Sequence, residues 1–408
     1  MKNILHITPH LGGGVGTVLL NWLVFDKSNY HSIITLDYAN ENATHICKEN
    51  NIRLFSQIQT KEILSEILKS DITVIHFWNH PLLYDFLIRN TLPESRIIFW
   101  SHISGANPPY VFNEKLFDIC DKFVFTSPIS YKYVKNNSKT ACILSTGGIE
   151  RFKSLQKENH EGFISSYIGT IDYAKMHSEY LNTMLKTDVD RIIIAGAGAK
   201  ADEFANADKR IEFKGKVPDI SDILKISDVF AYMLNPNHYG TAEQVLQEAM
   251  ASGVVPVVLD NPCEKNLIKH METGLVAENL NEYVKYINLL KQNPDLRNKL
   301  SEKAKIYADK NFSLDALTKN WNSLFDVIIK LPKTDKKWDI QKTDITSFDV
   351  FLESLGSYRT IFENKSAKEL KAILKQPNWD SETKGTPKQY FKFLSGMELE
   401  KLCSFYGS

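Results

Sequence analysis

Apolar residues in this chain come in short runs rich in β-branched and aromatic side chains, each followed by a longer amphipathic or polar stretch. Six such runs, at 3–8, 31–37, 72–78, 96–102, 122–127 and 141–146, precede a second six at 164–170, 191–196, 211–215, 229–234, 254–259 and 274–278. Continuous apolar runs alternating with helix-length connections predict parallel strands covered by helices on both faces. Two series predict two doubly wound α/β domains, and the polar, aperiodic stretch 150–162 reads as the linker between them.

Beyond residue 278 the period becomes helical. Helices are expected at 281–292, at 294–310 with Pro294 in the first turn, and at 313–330 with Ser313 as N-cap. Leu331-Pro332-Lys333 breaks this pattern, and four short helices are expected near 348–355, 366–374, 387–394 and 397–405. The expected organisation is a domain at 1–155, a second at 156–312, a closing helix at 313–330 that packs back on the first, and a helical extension at 331–408. Trp338, Phe351, Trp379 and Tyr390 are among many apolar residues of the extension, too many for a disordered linker. It reads as a helical clasp on the body. The alternative is a module for acceptor recognition, oligomerisation or membrane docking, with Lys384, Lys388 and Lys392 as its contact surface.

Composition narrows the function. The chain has 408 residues, 43% hydrophobic and 24% charged, enough for two or three folded domains. Its 49 Lys and Arg balance 49 Asp and Glu, so no overall field attracts a polyanion and nucleic acid is not an expected partner. Cys47, Cys120, Cys142, Cys263 and Cys403 are odd in number and never in a Cys-x-x-Cys arrangement, which suggests neither a disulfide framework nor a zinc site. The first apolar stretch is too short for a signal-peptide core, and no run approaches the roughly 20 apolar residues of a membrane span. A cytoplasmic protein, peripheral at most to the inner face of a membrane, is expected.

Ligands of open α/β sheets bind beyond the carboxyl ends of the strands. The first strand runs into Pro9-His10-Leu11-Gly12-Gly13-Gly14-Val15-Gly16-Thr17, where glycines let backbone approach a ligand or simply make a turn. The spacing fits neither a dinucleotide fingerprint nor a P-loop, so neither a dehydrogenase nor a kinase is favoured. His102 ends another strand, and His76 and His80 flank a third strand's end; each is a candidate ligand or a satisfied polar residue. In Tyr239-Gly240-Thr241-Ala242-Glu243-Gln244-Val245-Leu246-Gln247-Glu248, Thr241 and Gln244 have capping-box spacing. A helix from near Ala242 would then offer free N–H groups at Glu243 to Val245 to a phosphate. Glu248 is either a solvated glutamate or a buried ligand-binding carboxylate.

These residues resemble the retaining glycosyltransferases of family 4, over about residues 1–330. Glu248-Ala249-Met250-Ala251-Ser252-Gly253-Val254-Val255-Pro256-Val257-Val258 is similar to that family's Glu-Ala-Met-Ala-x-Gly-x-Pro-Val-Val segment. Gly147-Gly148-Ile149-Glu150, Gly196-Ala197-Gly198 and Thr273-Gly274-Leu275-Val276 add to the likeness. The resemblance implies the α/β GT-B fold, two Rossmann-like doubly wound parallel-sheet domains facing across a cleft. It further implies a nucleoside-diphosphate sugar, UDP- or GDP-linked, as donor. Its sugar would pass with retention to a glycan, glycolipid or glycoprotein in bacterial surface polysaccharide or glycoconjugate synthesis, with no cofactor and no metal.

Carried over by residue, the resemblance gives Glu248 the ribose hydroxyls and Lys175 the diphosphate. It sets His102 beside the reacting sugar, with His102 and Lys175 facing one another, and Gly13 and Gly14 in the glycine-rich loop. Gly169, Thr170, Thr241, Glu243, Gln244 and Val245 complete the donor side, and His76 and His80 stand on the acceptor side. Two departures stand out: Gly169-Thr170-Ile171 replaces Gly-Arg-Leu, and Gly240 stands where the family has a first glutamate, a place Glu243 fills if the loop is shifted. Two other readings are a non-catalytic glycan-binding or scaffolding subunit with a degenerate donor site and a nucleotide-sugar epimerase, the latter lacking its expected carboxylates.

Overall fold

The computed structural model describes residues 1–134, 138–205, 207–363 and 365–406. The chain separates into two compact units, Met1–Gly147 with Leu317–Ser408, and Gly148–Ala316. Residues 148–155, assigned by sequence to the first domain, thus lie with the second unit, and the crossings fall at 147/148 and 316/317 rather than within 150–162.

The first unit is built from β1 (Asn3–Thr8), α1 (Gly13–Phe25), β2 (Tyr30–Thr35), α2 (Glu41–Glu49), β3 (Arg53–Ser56), α3 (Thr60–Lys69), β4 (Ile72–Phe77), α4 (Pro81–Arg89), β5 (Leu92–Ser95), β6 (Ile97–Ser101), α5 (Lys115–Asp118), β7 (Lys122–Phe125) and β8 (Thr140–Cys142). Its seven-stranded sheet is parallel, in the order β3-β2-β1-β4-β6-β7-β8. Every residue of β4 and β6 is buried, Thr73, His76 and Ser101 included, and both strands are mainly apolar without alternation. The short edge strand β3 alternates weakly, is half-exposed and lacks β-branched residues, and the apolar pattern misses it.

The second unit holds α6 (Glu150–Lys153), β9 (Ile164–Ile168), α7 (Tyr180–Met184), β10 (Arg191–Ala195), β11 (Ile211–Gly215), α8 (Ser221–Ile226), β12 (Val229–Tyr232), α9 (Gln244–Ala251), β13 (Val255–Leu259), α10 (Pro262–Leu267), β14 (Leu275–Ala277), α11 (Leu280–Gln292) and α12 (Pro294–Asn311). Its six strands run parallel in the order β11-β10-β9-β12-β13-β14, so both units are Rossmann-like.

Next, α13 (Leu314–Ile328) starts at the expected Ser313, whose Oγ accepts the Ala316 N–H at 3.2 Å. In the first unit, its Trp321 stacks on Trp22 with centroids 5.1 Å apart, and its Asn322 Oδ1 accepts from Asn29 Nδ2 at 2.6 Å.

The extension adds β15 (Thr334–Lys336), α14 (Ser347–Ser354), α15 (Ala367–Leu374), α16 (Pro387–Leu394) and α17 (Met397–Ser404). Its described residues lie within the first compact unit. Strand β15, which the helical reading missed, pairs antiparallel with β5. Glu353 accepts from Trp338 Nε1 at 3.0 Å and pairs with Lys115 at 2.9 Å, and the Tyr110 hydroxyl donates to the Asn378 carbonyl at 2.9 Å. Of the three lysines, Lys384 Nζ lies 4.8 Å from the Trp78 ring centre, Lys388 pairs with Asp380 and sits over Tyr406, and Lys392 is exposed. No helix among the described residues is long and apolar enough to cross a membrane, and all five cysteines are free thiols.

Candidate functional site

In the second unit the loops after β9 and β10 are forced close together. A Cβ at Gly196, whose φ is +149°, would fall on the Gly169 carbonyl, and one at Gly198 on the Ile171 carbonyl. The pair Gly196-Ala197-Gly198 is therefore explained by backbone approach. Thr170 is exposed in this loop, and its carbonyl accepts from the Tyr167 hydroxyl at 3.0 Å. The turn that follows is tied to the loop after β12, with Asn235 N–H donating to the Lys175 carbonyl at 2.9 Å.

That turn aims Lys175 inward. Its Nζ donates to both Glu243 oxygens at 2.7 Å, and the Tyr232 hydroxyl donates to Glu243 Oε2 at 2.7 Å. Burial opposes charge on both partners, but their mutual attraction wins. The Glu243 carboxyl is held below its ordinary value, with His238 and Tyr232 assisting, and the Lys175 ammonium is held above its own. The structure thus joins two candidates 68 positions apart into one buried ion pair.

Glu243 does not sit as expected. The capping box from Thr241 to Gln244 does not form, because α9 starts only at Gln244 and Glu243, in the left-handed region at φ +37°, is its N-cap residue without a capping side-chain bond. The carboxylate turns to Lys175 instead. At the start of α9 the Leu246 N–H already donates to the Glu243 carbonyl at 2.9 Å.

Glu248 is buried on α9, where Gln244 Nε2 donates to its Oε1 at 3.2 Å. Burial pushes its carboxyl up to about 7, against the pull of Gln244 and Arg151. The solvated reading of this residue is thereby replaced by the buried one.

His238 and Glu264, absent from the sequence reading, complete the cluster. The ligand atoms of His238, Glu243 and Glu264 lie within 4.8 Å of one another, a spacing a metal could use. Two of the three residues are already engaged, whereas among the described residues Glu264 Oε2 is buried without a hydrogen-bond partner. Gly240 N–H donates to His238 Nδ1 at 2.9 Å, His238 Nε2 faces Glu264 Oε1 at 2.9 Å, and Lys175 holds both Glu243 oxygens. A cation bound at Glu243 would have to displace Lys175, whose single charge already pairs with that carboxylate.

In the first unit, Gly13 and Gly14 form the first turn of α1 rather than a loop before a helix at 18. A Cβ at either would meet nothing within 4 Å, and Gly14 has no positive φ to explain it. Gly16 is different: its Cβ would lie 3.3 Å from the Leu11 carbonyl carbon, so packing there favours glycine.

His80 has a structural role, its Nδ1 accepting the Leu82 N–H at 3.3 Å as N-cap of α4, with its ring 4.8 Å from that of Phe393. Burial lowers it to about 3, with His10 and Lys384 adding to the effect. His76 is wholly buried and also lowered to about 3 by burial. Its Nδ1 lies 3.0 Å from Nε2 of His102, which is half-buried just past β6. Sequence reasoning missed His6, His31 and Asp26, which continue this contact, because only the strand order β2-β1-β4 makes them neighbours.

Comparison with known proteins comes to the same region. Residues 149–307 match the family model described as Glycosyl transferases group 1. The chain is 28% identical over 228 residues to an uncharacterized glycosyltransferase of Haemophilus influenzae, a match covering 50% of this chain and 61% of that one. Among solved structures, Anabaena Alr3699/HepE in complex with UDP and glucose superposes with a TM-score of 0.65 at 12% identity, over 80% of this chain and 100% of that one. A glycosyltransferase from Rickettsia africae gives 0.61 at 15% identity, over 81% and 99%. The fold is GT-B: two Rossmann-like parallel-sheet units with a helical C-terminal region.

Proposed function

We propose that this protein is a metal-independent retaining glycosyltransferase of family 4. In this reading it moves a sugar from a UDP- or GDP-linked donor onto a glycan, glycolipid or glycoprotein of bacterial surface polysaccharide or glycoconjugate synthesis. The observation that carries it is the buried Lys175–Glu243 pair, placed with Glu248 inside the segment that matches the glycosyltransferase family model. Lys175 supplies a fixed, desolvated cation, the kind of group that stabilises charge developing on a departing diphosphate. Glu248 supplies hydrogen-bond acceptors for ribose hydroxyls once its proton is released. The open backbone at Gly13 and Gly14 leaves room for a ligand to approach, and His102 receives the reacting sugar. The complex of HepE with UDP and glucose supports testing UDP first.

One observation favours a second reading. Lys175 is already neutralised and Thr170 stands in place of an arginine, as in a glycan-binding subunit that no longer takes a donor. Thermal unfolding with UDP, GDP and their sugars separates the two. A transferase is expected to be stabilised by one of the nucleoside diphosphates, and Lys175→Met with Glu243→Gln, which removes the pair without stranding a charge, should abolish that stabilisation. Stabilisation by glycans alone would favour the binding subunit.

A further inference from the structure

Four imidazoles and one carboxylate form a continuous chain across the sheet of the first unit. His102 Nε2 lies 3.0 Å from His76 Nδ1, His76 Nε2 lies 3.1 Å from His6 Nδ1, and His6 Nε2 lies 3.0 Å from His31 Nδ1. His31 Nε2 ends the chain 3.0 Å from Asp26 Oδ2. Strand register explains it. His31 on β2 is level with Ile4, and His6 lies two residues further on along β1. Val74 is level with His6, and His76 lies two residues beyond it on β4; Trp100 is level with His76, and His102 lies two residues beyond that. Each step goes one strand across and two residues along, and a period of two keeps all four rings on one face.

Asp26 anchors one end of the chain. Its Oδ1 accepts from the Ser28 N–H at 2.7 Å and its Oδ2 from Asn29 Nδ2 at 2.8 Å. Burial works against its charge, but the bonds from His31, Asn29 and Ser28 outweigh burial and hold the carboxyl well below its ordinary value. An ionised carboxylate only accepts, so His31 Nε2 carries a proton. With a neutral His31, which has one donor and one acceptor, Nδ1 accepts from His6 Nε2–H, and the same choice repeats to His102. Burial favours the neutral ring at His6, His76 and His102, each lowered from its ordinary value. Trp22 covers His6 and His31 at 5.6 and 5.8 Å, and Trp100 covers His76 and His102 at 5.2 and 4.9 Å. The remaining groups facing His102 are Trp78 and Lys384, whose positive charge also disfavours a proton there.

We propose that the chain from Asp26 through His31, His6 and His76 fixes the tautomer of His102, presenting its Nδ1 as the acceptor for a substrate hydroxyl and passing on any proton taken there. Among the described residues Nδ1 has no hydrogen-bond partner, as this role requires. In the proton step the hydroxyl O–H bond breaks and N–H forms at His102 Nδ1, the oxygen keeping its electron pair for the new glycosidic bond. The Nε2 protons of His102, His76 and His6 each move to the next Nδ1. The charge comes to rest as an imidazolium at His31 against the Asp26 carboxylate, and reverse transfer releases the proton after the product leaves. Asp26, His31, His6 and His76 are positioning residues. The proton step rests on the transferase reading; the tautomer does not.

Long-range 1H–15N NMR of the full chain with labelled histidine tests the tautomer without any substrate. His6, His31, His76 and His102 are expected to be protonated at Nε2 and bare at Nδ1; a proton on Nδ1 of His102 in the free enzyme would overturn the proposal. Asp26→Asn removes the obligate acceptor and should give mixed tautomers along the chain. It should also lower kcat by roughly a hundredfold, with nucleoside diphosphate binding to the second unit unchanged. Mixed tautomers with unchanged kcat would sink the proton step, and wild-type spectra decide the tautomer even if the variant does not fold. Should no donor support transfer, the functional reading fails while the spectra still decide the tautomer.

Discussion

The Glu243 carboxylate occupies the place that a side chain on residue 240 would take. A Cβ at Gly240 would overlap Glu243 Oε1 and come 2.5 Å from Lys175 Nζ. Glu243 reaches this place from three residues later, through its own left-handed turn.

Moving the carboxylate back tests this relationship. Gly240→Ala should push Glu243 away and leave Lys175 buried without its partner, costing about 3–5 kcal/mol in urea unfolding. Gly240→Glu combined with Glu243→Gly should recover most of that loss, because glycine suits φ +37° and the new carboxylate starts beside Lys175. A double variant no more stable than Gly240→Ala would show that the two positions are not interchangeable.

Glu248 should make stability and donor binding depend on pH. Its carboxyl is raised from 4.5 to about 7 by burial, so the folded chain holds the proton that the unfolded chain releases first. Its stability contribution is intact below pH 4.5 and declines as pH rises toward 7. Glu248→Gln should therefore be near neutral at pH 4.5 and stabilise by up to about 3 kcal/mol at pH 8, read from denaturant midpoints. Binding of a nucleoside diphosphate through the ionised carboxylate should release a proton at pH 6. Calorimetry in buffers of different ionisation heat measures that release, and its absence would remove Glu248 from the ribose site.

Removal of residues 331–408 should leave an insoluble first unit. The truncation strips β15 from β5, and it uncovers Tyr84, whose ring lies 5.7 Å from that of Trp338. Sedimentation of the chain ending at Lys330 checks this; a soluble, cooperatively folded product would mean that the extension is a separable module instead of a clasp.

Local chemistry determined much of this protein. Short β-branched-rich runs such as Ile72–Phe77 and Val255–Leu259, spaced by helix-length segments, read as buried parallel strands, so the α/β class was readable, and Pro294 and Ser313 marked their helix starts. Lys175, Glu243 and Glu248 were also legible as candidates, each from its place in a motif. Their arrangement was not. A capping-box spacing at Thr241 and Gln244 promised an earlier helix, and the attraction between Glu243 and Lys175 across 68 residues overrode it. The histidine chain was equally hidden, because His6, His31, His76 and His102 become neighbours only when four strands adopt one register. Residue type and period set what each segment can form; which buried groups meet is decided by pairing between distant segments, where the cost of an unpartnered polar group selects the final arrangement.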